Sequence, residues 1–283
     1  MKRIIKEFIG SALYLLSICI VRNKLNVLSI YFHNPSSKLF LSIVKWLKRR
    51  DYEILSLDEY AKIINKSHKR KIAVLTIDDG WRGNLELIPI IDEYNIPITI
   101  FISTGPIIHG NFWWEYASIV DQYKVSGIKS KSDFKLLDIT EFDLAISNLK
   151  RHYQVNRSAL TIDELIIVSE NKNITIGAHT VSHPILPNCD IKRINYELRE
   201  SKKQLEAWCG SPIKYFSYPN GDIDEKVINM VSKVGFDMAF STEAKYIKNS
   251  DIDCYSIPRF CINDDGGYWE NISKVIGIWQ KVF

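Results

Sequence analysis

Two short motifs in this chain carry residue types that can close around one metal ion. Thr76-Ile77-Asp78-Asp79-Gly80 ends an apolar run, and His179-Thr180-Val181-Ser182-His183 follows about a hundred residues later. Two imidazoles and a carboxylate make a common catalytic zinc set, one that leaves a coordination position open for water. A second carboxylate next door can take that water's proton. The two motifs together point to metal-assisted hydrolysis.

Each candidate also has a plainer reading. Adjacent residues after a strand point in different directions, so Asp78 and Asp79 can do two jobs, one on a metal and one facing a substrate; Asp-Asp-Gly is equally good turn and helix-capping chemistry. A spacing of four lets His179 and His183 aim at one point, and two surface histidines before a turn at Pro184 have the same pattern. Phe216-Ser217-Tyr218-Pro219-Asn220-Gly221 leaves an apolar run into a tight turn. Such a turn can aim a backbone N–H, around Tyr218, Pro219 and Asn220, at a developing oxyanion, or it is a simple loop. His33 can hand a proton to a leaving group, or is a satisfied loop histidine. Arg259 can pair with Asp78 and hold it ionised, or is an ordinary surface ion pair. The aromatic stretch Phe112 to Tyr116 can stack on sugar rings, although core packing is the commoner use of such residues. His68, His109 and His152 read as surface residues.

The elements that must position these residues alternate between short apolar strands and amphipathic helices. Strands are expected at Asn26–Phe32, Lys71–Ile77, Ile98–Ser103, Asn173–Gly177, Ile213–Tyr218 and Phe236–Ser241, with a seventh at Tyr255–Pro258. Helices are expected at Ser37–Arg50, Leu85–Tyr94, Ile191–Cys209, Asp224–Val234 and 267–281. Alternation of this kind implies a parallel α/β sheet with helices outside, and near-continuous apolar strands imply burial on both faces. About seven strands suggest a distorted (β/α) barrel, whose chemistry sits at the C-terminal strand ends. His33, Asp78, Asp79, His179 and Pro219 all fall at such ends. Residues 105–170 break the alternation with helical patterns alone, and read as a helical insert over that face. The chain thus divides into an apolar N-terminal helix, 1–25, and a barrel, 26–283.

Composition narrows the class further. Among 283 residues, 46% are hydrophobic and 25% charged, ordinary for a folded domain with a large core. A net charge of +4 without a basic patch interleaved with aromatics argues against a nucleic-acid binder. Five cysteines at irregular spacing, with no CxxC, read as reduced thiols and lean towards a cytoplasmic or membrane-associated bacterial location over a secreted one. The uncharged run Phe8 to Val21 follows Lys2 and Arg3 and is shorter than the roughly 20 residues needed to cross a bilayer. Packing on the domain and peripheral membrane contact through residues 4–21 stand as equal readings.

With these motifs in place, the chain resembles the polysaccharide deacetylases of the NodB-homology family, metal-dependent carbohydrate esterases, from about Asn26 to Phe260. Thr76 to Gly80 is similar to that family's T-F-D-D-G motif, with Ile77 in place of Phe. His179 to His183 resembles its metal motif, and Phe216 to Gly221 the Y-P-x-G form of its third motif. The resemblance implies a divalent, zinc-like ion held by Asp79, His179 and His183, with Asp78 as general base and backbone near Asn220 at the oxyanion. It implies removal of an acetyl group from an N-acetylated sugar of a bacterial polysaccharide or its precursor. Two departures are visible. Ser217 stands where the third motif often carries an arginine, for which Arg259 is the substitute on offer. No histidine follows His183, whereas many members take their acid from a C-terminal one. His33 instead resembles the first-strand Tyr-His of the subgroup acting on poly-N-acetylglucosamine, with Phe32 inserted. The competing expectation is a catalytically inactive barrel that binds glycan or a biosynthetic partner.

Overall fold

The computed structural model describes residues 2–20, 27–66, 70–123, 130–247 and 252–282; His68 lies outside them. Eight strands form one parallel sheet: β1 Val27–Phe32, β2 Glu53–Ile54, β3 Ile72–Ile77, β4 Ile98–Ile102, β5 Ile174–Ala178, β6 Tyr215–Ser217, β7 Met238–Phe240 and β8 Phe260–Cys261. Seven run in the order β7-β6-β5-β4-β3-β1-β8, with β2 paired to β3 off that path. The sheet curls until its ends approach. Ile257 bridges in parallel to Phe240 of β7, and four residues later the chain pairs with β1 through Tyr31 and Cys261. The result is the distorted barrel expected.

Residue alternation explains the two faces of each strand. Leu28, Ile30 and Phe32 of β1 and Ala73, Leu75 and Ile77 of β3 join the apolar layer under the outer helices. The opposite parity, Val27, Ile72, Val74, Phe101, Tyr215 and Phe240, fills the barrel interior. Helix α2 (Ser37–Arg49) shows how the outer layer is specified. Ser36 caps it by accepting from the Leu39 amide, and Leu39, Phe40, Ile43, Val44 and Leu47 bury one stripe.

Among the described residues between β4 and β5 lie four α-helices and no named strand: α5 Thr104–His109, α6 Trp113–Tyr123, α7 Ile139–His152 and α8 Ile162–Ser169. Trp113, Tyr116, Val120, Phe134, Phe142, Ile146 and Leu149 make a small core of their own there. Helices α9 (Ile191–Cys209), α10 (Glu225–Val234) and α11 (Tyr268–Val275) follow the later strands.

Several boundaries differ from expectation for local reasons. The expected strand Tyr255–Pro258 is a single bridge at Ile257, and the strand proper starts at Phe260, beyond Pro258, which has no N–H to give a ladder. The expected helix Leu85–Tyr94 begins as a 3-10 turn, Arg82–Leu87, and becomes α-helical at Ile88 ahead of Pro89. The expected helix 267–281 stops at Val275, because Gly277 adopts φ 65°.

The N-terminal run forms helix αN (Lys2–Ile20). It packs on α11 through a close approach at Gly10, where any Cβ would lie 2.5 Å from the Trp269 backbone. Glu7 accepts from the amides of Trp269 and Glu270 and so serves as a cap for α11. Among the described residues no helix is long and apolar enough to cross a membrane. Cys189, Cys209, Cys254 and Cys261 are free thiols.

Candidate active site

The inward parity of β3 runs Ile72, Val74, Thr76, and its next member is Asp78. The Asp78 amide still donates to Phe32 O, so the ladder carries this carboxylate into the barrel mouth. The chain then turns away through two consecutive left-handed residues, Asp79 (φ 81°) and Gly80 (φ 92°). A side chain at Gly80 would be strained in φ and would crowd Ile102. Asp-Asp-Gly is therefore a real turn, and the turn is what separates the two carboxylates. Holding a non-glycine residue in that region costs of order 1–3 kcal/mol, a strain typical of functional sites. Thr180 (φ 70°), His183 (φ 55°) and Asn220 (φ 56°) share this conformation in the other two motifs.

Asp78 is held by Arg259, and both are buried. Nη1 and Nη2 of the guanidinium donate to the two carboxylate oxygens, each at 2.8 Å. The remaining N–H groups go to Thr76 Oγ1, Ser217 Oγ and Ser241 O, and Tyr31 lies across the guanidinium with its centroid 4.4 Å away. All five donors are used, the geometry that makes arginine suited to a buried carboxylate. Burial alone would raise the Asp78 carboxyl; Arg259, with smaller help from His179, outweighs it and holds the group below its ordinary value. Ser217, standing where an arginine was expected, donates to Asp78 Oδ2 and accepts from Arg259.

Asp79 faces the histidine pair. Nε2 of His179 and Nε2 of His183 each lie 3.5 Å from Asp79 Oδ1. His179 follows β5 directly, and its Nδ1 donates to Ser217 O at 2.6 Å. A neutral imidazole that donates from Nδ1 presents a lone pair at Nε2. Burial lowers His183 to about 3, so that ring is neutral. Burial opposes ionisation of Asp79, but the polar groups around it, the His179 ring first, outweigh that and hold its carboxyl below the ordinary value. One carboxylate and two imidazoles, all buried and with ligand atoms within 4.8 Å of one another, thus converge on one point. This donor set fits a divalent cation.

The surroundings orient those donors. Trp81 Nε1 donates to Asp79 Oδ2 at 2.9 Å, leaving Oδ1 for the histidines. The 180–183 turn is gripped by Glu197, a fully buried carboxylate on α9. It accepts from the amides of Val181 and Ser182, from Ser182 Oγ and from Arg193 Nε. Arg193 continues to Asp143 on α7, and Trp113 Nε1 donates to His183 O. Helices of the segment between β4 and β5 are therefore tied to the histidine turn.

A cleft of about 380 Å³ opens over these groups, lined among others by Asp78, Asp79, His33, His179, His183 and Trp114. His33 follows β1, is 40% exposed, and turns Nδ1 towards Asp264 Oδ2 at 4.0 Å. Asp264 is held by the Asn34 amide, and burial raises its carboxyl. Asn220 also lines the cleft, with Oδ1 accepting from Lys135 and Nδ2 buried without a partner. Of the three residues expected at an oxyanion, two need correction. The Tyr218 hydroxyl donates to Tyr255 O and its amide to Phe240 O, and Pro219 has no N–H; only Asn220 remains as a donor there. The aromatic stretch divides: Phe112, Trp113 and Tyr116 are buried, whereas Trp114 reaches the cleft and packs edge-on against His183.

Residue types and spacing identified Asp78, Asp79, His33, His179, His183 and Arg259, and the fold brings all six together. They did not identify Trp81, Glu197, Asp264 or Lys135. Trp81 had the one usable signal, its place directly after the Asp-Asp-Gly turn.

Comparison with known proteins agrees with this geometry. The polysaccharide deacetylase family model matches residues 65–239. Poly-β-1,6-N-acetyl-D-glucosamine N-deacetylase of Staphylococcus aureus is 26% identical over 248 residues, covering 83% of this chain and 73% of that protein. The Staphylococcus epidermidis protein of the same name is 23% identical over 235 residues, covering 82% and 69%. Among solved structures, IcaB from Ammonifex degensii superposes with a TM-score of 0.65 at 14% identity, over 90% of this chain and 98% of that one. The Streptococcus pyogenes deacetylase PplD gives 0.62 at 16% identity, over 89% and 98%. At these identities the structural likeness is one of fold.

Proposed function

This chain belongs to the polysaccharide deacetylase family, and we propose that it hydrolyses the acetyl amide of an N-acetylated hexosamine in a bacterial polysaccharide or its precursor, using a divalent metal ion held by Asp79, His179 and His183. The substrate class is that named for its staphylococcal relatives, a poly-N-acetylglucosamine. The observation that carries the reading is the convergence of two histidine Nε2 atoms on Asp79 Oδ1 beside a second, arginine-held carboxylate in one cleft.

A bound zinc-like ion would supply an acidified water and a polarised acetyl carbonyl. The chain's own residues supply the rest. Asp78, ionised by Arg259 and immobilised through both oxygens, accepts the proton of the attacking water. Asn220 offers a donor to the developing oxyanion. His33, with Asp264 beside it, protonates the departing amine. His33 fills the role that the absence of a histidine after His183 had left open.

The test is acetate release from soluble N-acetylglucosamine oligomers by the purified chain, with and without a chelator. Release that stops on chelation and returns with zinc is expected. Asp78→Asn should lower turnover by about 10²–10⁴-fold while metal content is retained. Undiminished turnover in that variant would remove Asp78 as the base.

A further inference from the structure

Trp81, Phe112 and Trp114 join two of the ligand residues from outside. At one end of this aromatic bridge, Trp81 Nε1 donates to Asp79 Oδ2 at 2.9 Å. The Trp81 ring packs on Phe112, with centroids 4.3 Å apart, and Phe112 stacks on Trp114 at 4.7 Å and 12°. At the other end, Trp114 meets the His183 ring edge-on at 4.7 Å. Phe112, in the middle, is fully buried. The backbone of Trp81 is fixed as well. It forms an antiparallel bridge with Ala159, flanked by the Arg82 amide donating to Ser158 O and the Leu160 amide donating to Gly80 O. With ring and backbone both anchored, the indole N–H has one direction, and it cannot follow a carboxylate that rolls.

The chemistry of the pair sets the consequence. An indole N–H only donates, so Trp81 can orient a ligand but cannot be one. A carboxylate beside a cation can offer one oxygen or both. Trp81 engages Oδ2, while Nε2 of His179 and Nε2 of His183 each lie 3.5 Å from Oδ1. One oxygen and two imidazoles make a three-ligand set with a position left for water. A second oxygen from Asp79 would compete for that position. We propose, resting on the metal reading above, that Trp81 is a positioning residue: it confines Asp79 to a single ligating oxygen and so keeps the remaining position for the reacting water. The segment between β4 and β5 then acts on the ligand set from two sides, through Phe112 and Ala159 on Trp81 and through the Trp113 bond to His183 O. Partners of this kind, which touch a ligand rather than the ion, set its orientation and with it the properties of the metal.

The experiment compares the full chain with Trp81→Phe, each freed of metal by a chelator and then loaded with cobalt(II) alone or zinc alone, no glycan being present. Phe keeps a ring against Phe112 and removes the N–H. Trp81 is only partly buried, so the metal-free variant should keep the parent's circular dichroism. Visible absorption of cobalt(II) weakens as its coordination number rises. The variant's cobalt bands should therefore be shifted and weaker than the parent's, as the released Oδ2 reaches the ion. Its zinc affinity, read by competition with a chromophoric chelator, should fall by about tenfold or more. Identical cobalt spectra would overturn the proposal even if zinc bound more weakly, because the indole would then only brace the turn. A parent that takes up neither ion would overturn the metal reading and the role of Trp81 together. Uptake of both ions with no difference between the two proteins would overturn the role of Trp81 alone.

Discussion

Arg259 decides how Asp78 behaves. Its guanidinium opposes the burial that would otherwise raise Asp78, and so the folded carboxyl lies below its ordinary value. A depressed carboxyl is ionised, and contributes its stability, above the unfolded value near 4, and loses that contribution as pH falls through the folded value. In Arg259→Met the burial remains and the opposing charge is gone, so the pKa rises. The acid limb of kcat/KM should therefore move to higher pH, and a limb that stays in place would show that Asp78 is not the group being read. The same change strands a buried carboxylate, at a cost of about 3–5 kcal/mol, which thermal melting would register. Arg259 was legible as a partner for Asp78 because an arginine near a predicted strand end has few other uses for a full set of donors. The Trp81 bond to Asp79 was not, since no pattern says which oxygen of a carboxylate an indole three residues past the first aspartate will meet.

At the level of elements, the strands were legible wherever both faces are buried, because β1, β3 and β4 read as near-continuous apolar runs, each with a single hydroxyl residue. β2 was not, being two residues long with no period to detect. Glu197 escaped for the opposite reason: a charged residue within an amphipathic helix reads as its solvent face. In the fold it is fully buried, and α9 uses it to set the turn that carries His179 and His183. Glu197→Gln can keep an acceptor towards the two amides but turns an NH₂ towards Arg193, breaking the link to Asp143. Support of this kind around metal ligands is worth about 10–100-fold in affinity. Glu197→Ala should weaken zinc binding by about that factor in a competition titration against a chromophoric chelator, with Glu197→Gln falling between it and the parent. Equal affinity in all three proteins would mean that the turn holds its shape without α9.

The whole molecule assembles its site from parts remote in the chain: His33 after β1, Asp78 and Asp79 after β3, Trp114 from the helices between β4 and β5, the histidine turn after β5, and Arg259 before β8. This convergence was foreseeable from the alternation of elements, which sends every C-terminal strand end to one face. How closely the intervening helices press on His183 was not, because their contacts depend on tertiary packing of Trp113 and Trp114 rather than on any period. A consequence follows for stability. The ligand atoms of Asp79, His179 and His183 belong to segments about a hundred residues apart, and global unfolding scatters them. An ion that binds the folded set alone must stabilise the entire fold by mass action, by about 2.7 kcal/mol at a hundredfold excess over Kd. For a chain of this size that is a rise in Tm of about 4–5 °C. Zinc added to chelator-treated protein should produce the rise, and an Asp79→Ala, His179→Ala variant should melt at the same temperature with or without it. If the parent's Tm were equally indifferent to zinc and to chelation, the three residues would be a buried polar cluster and not a metal site.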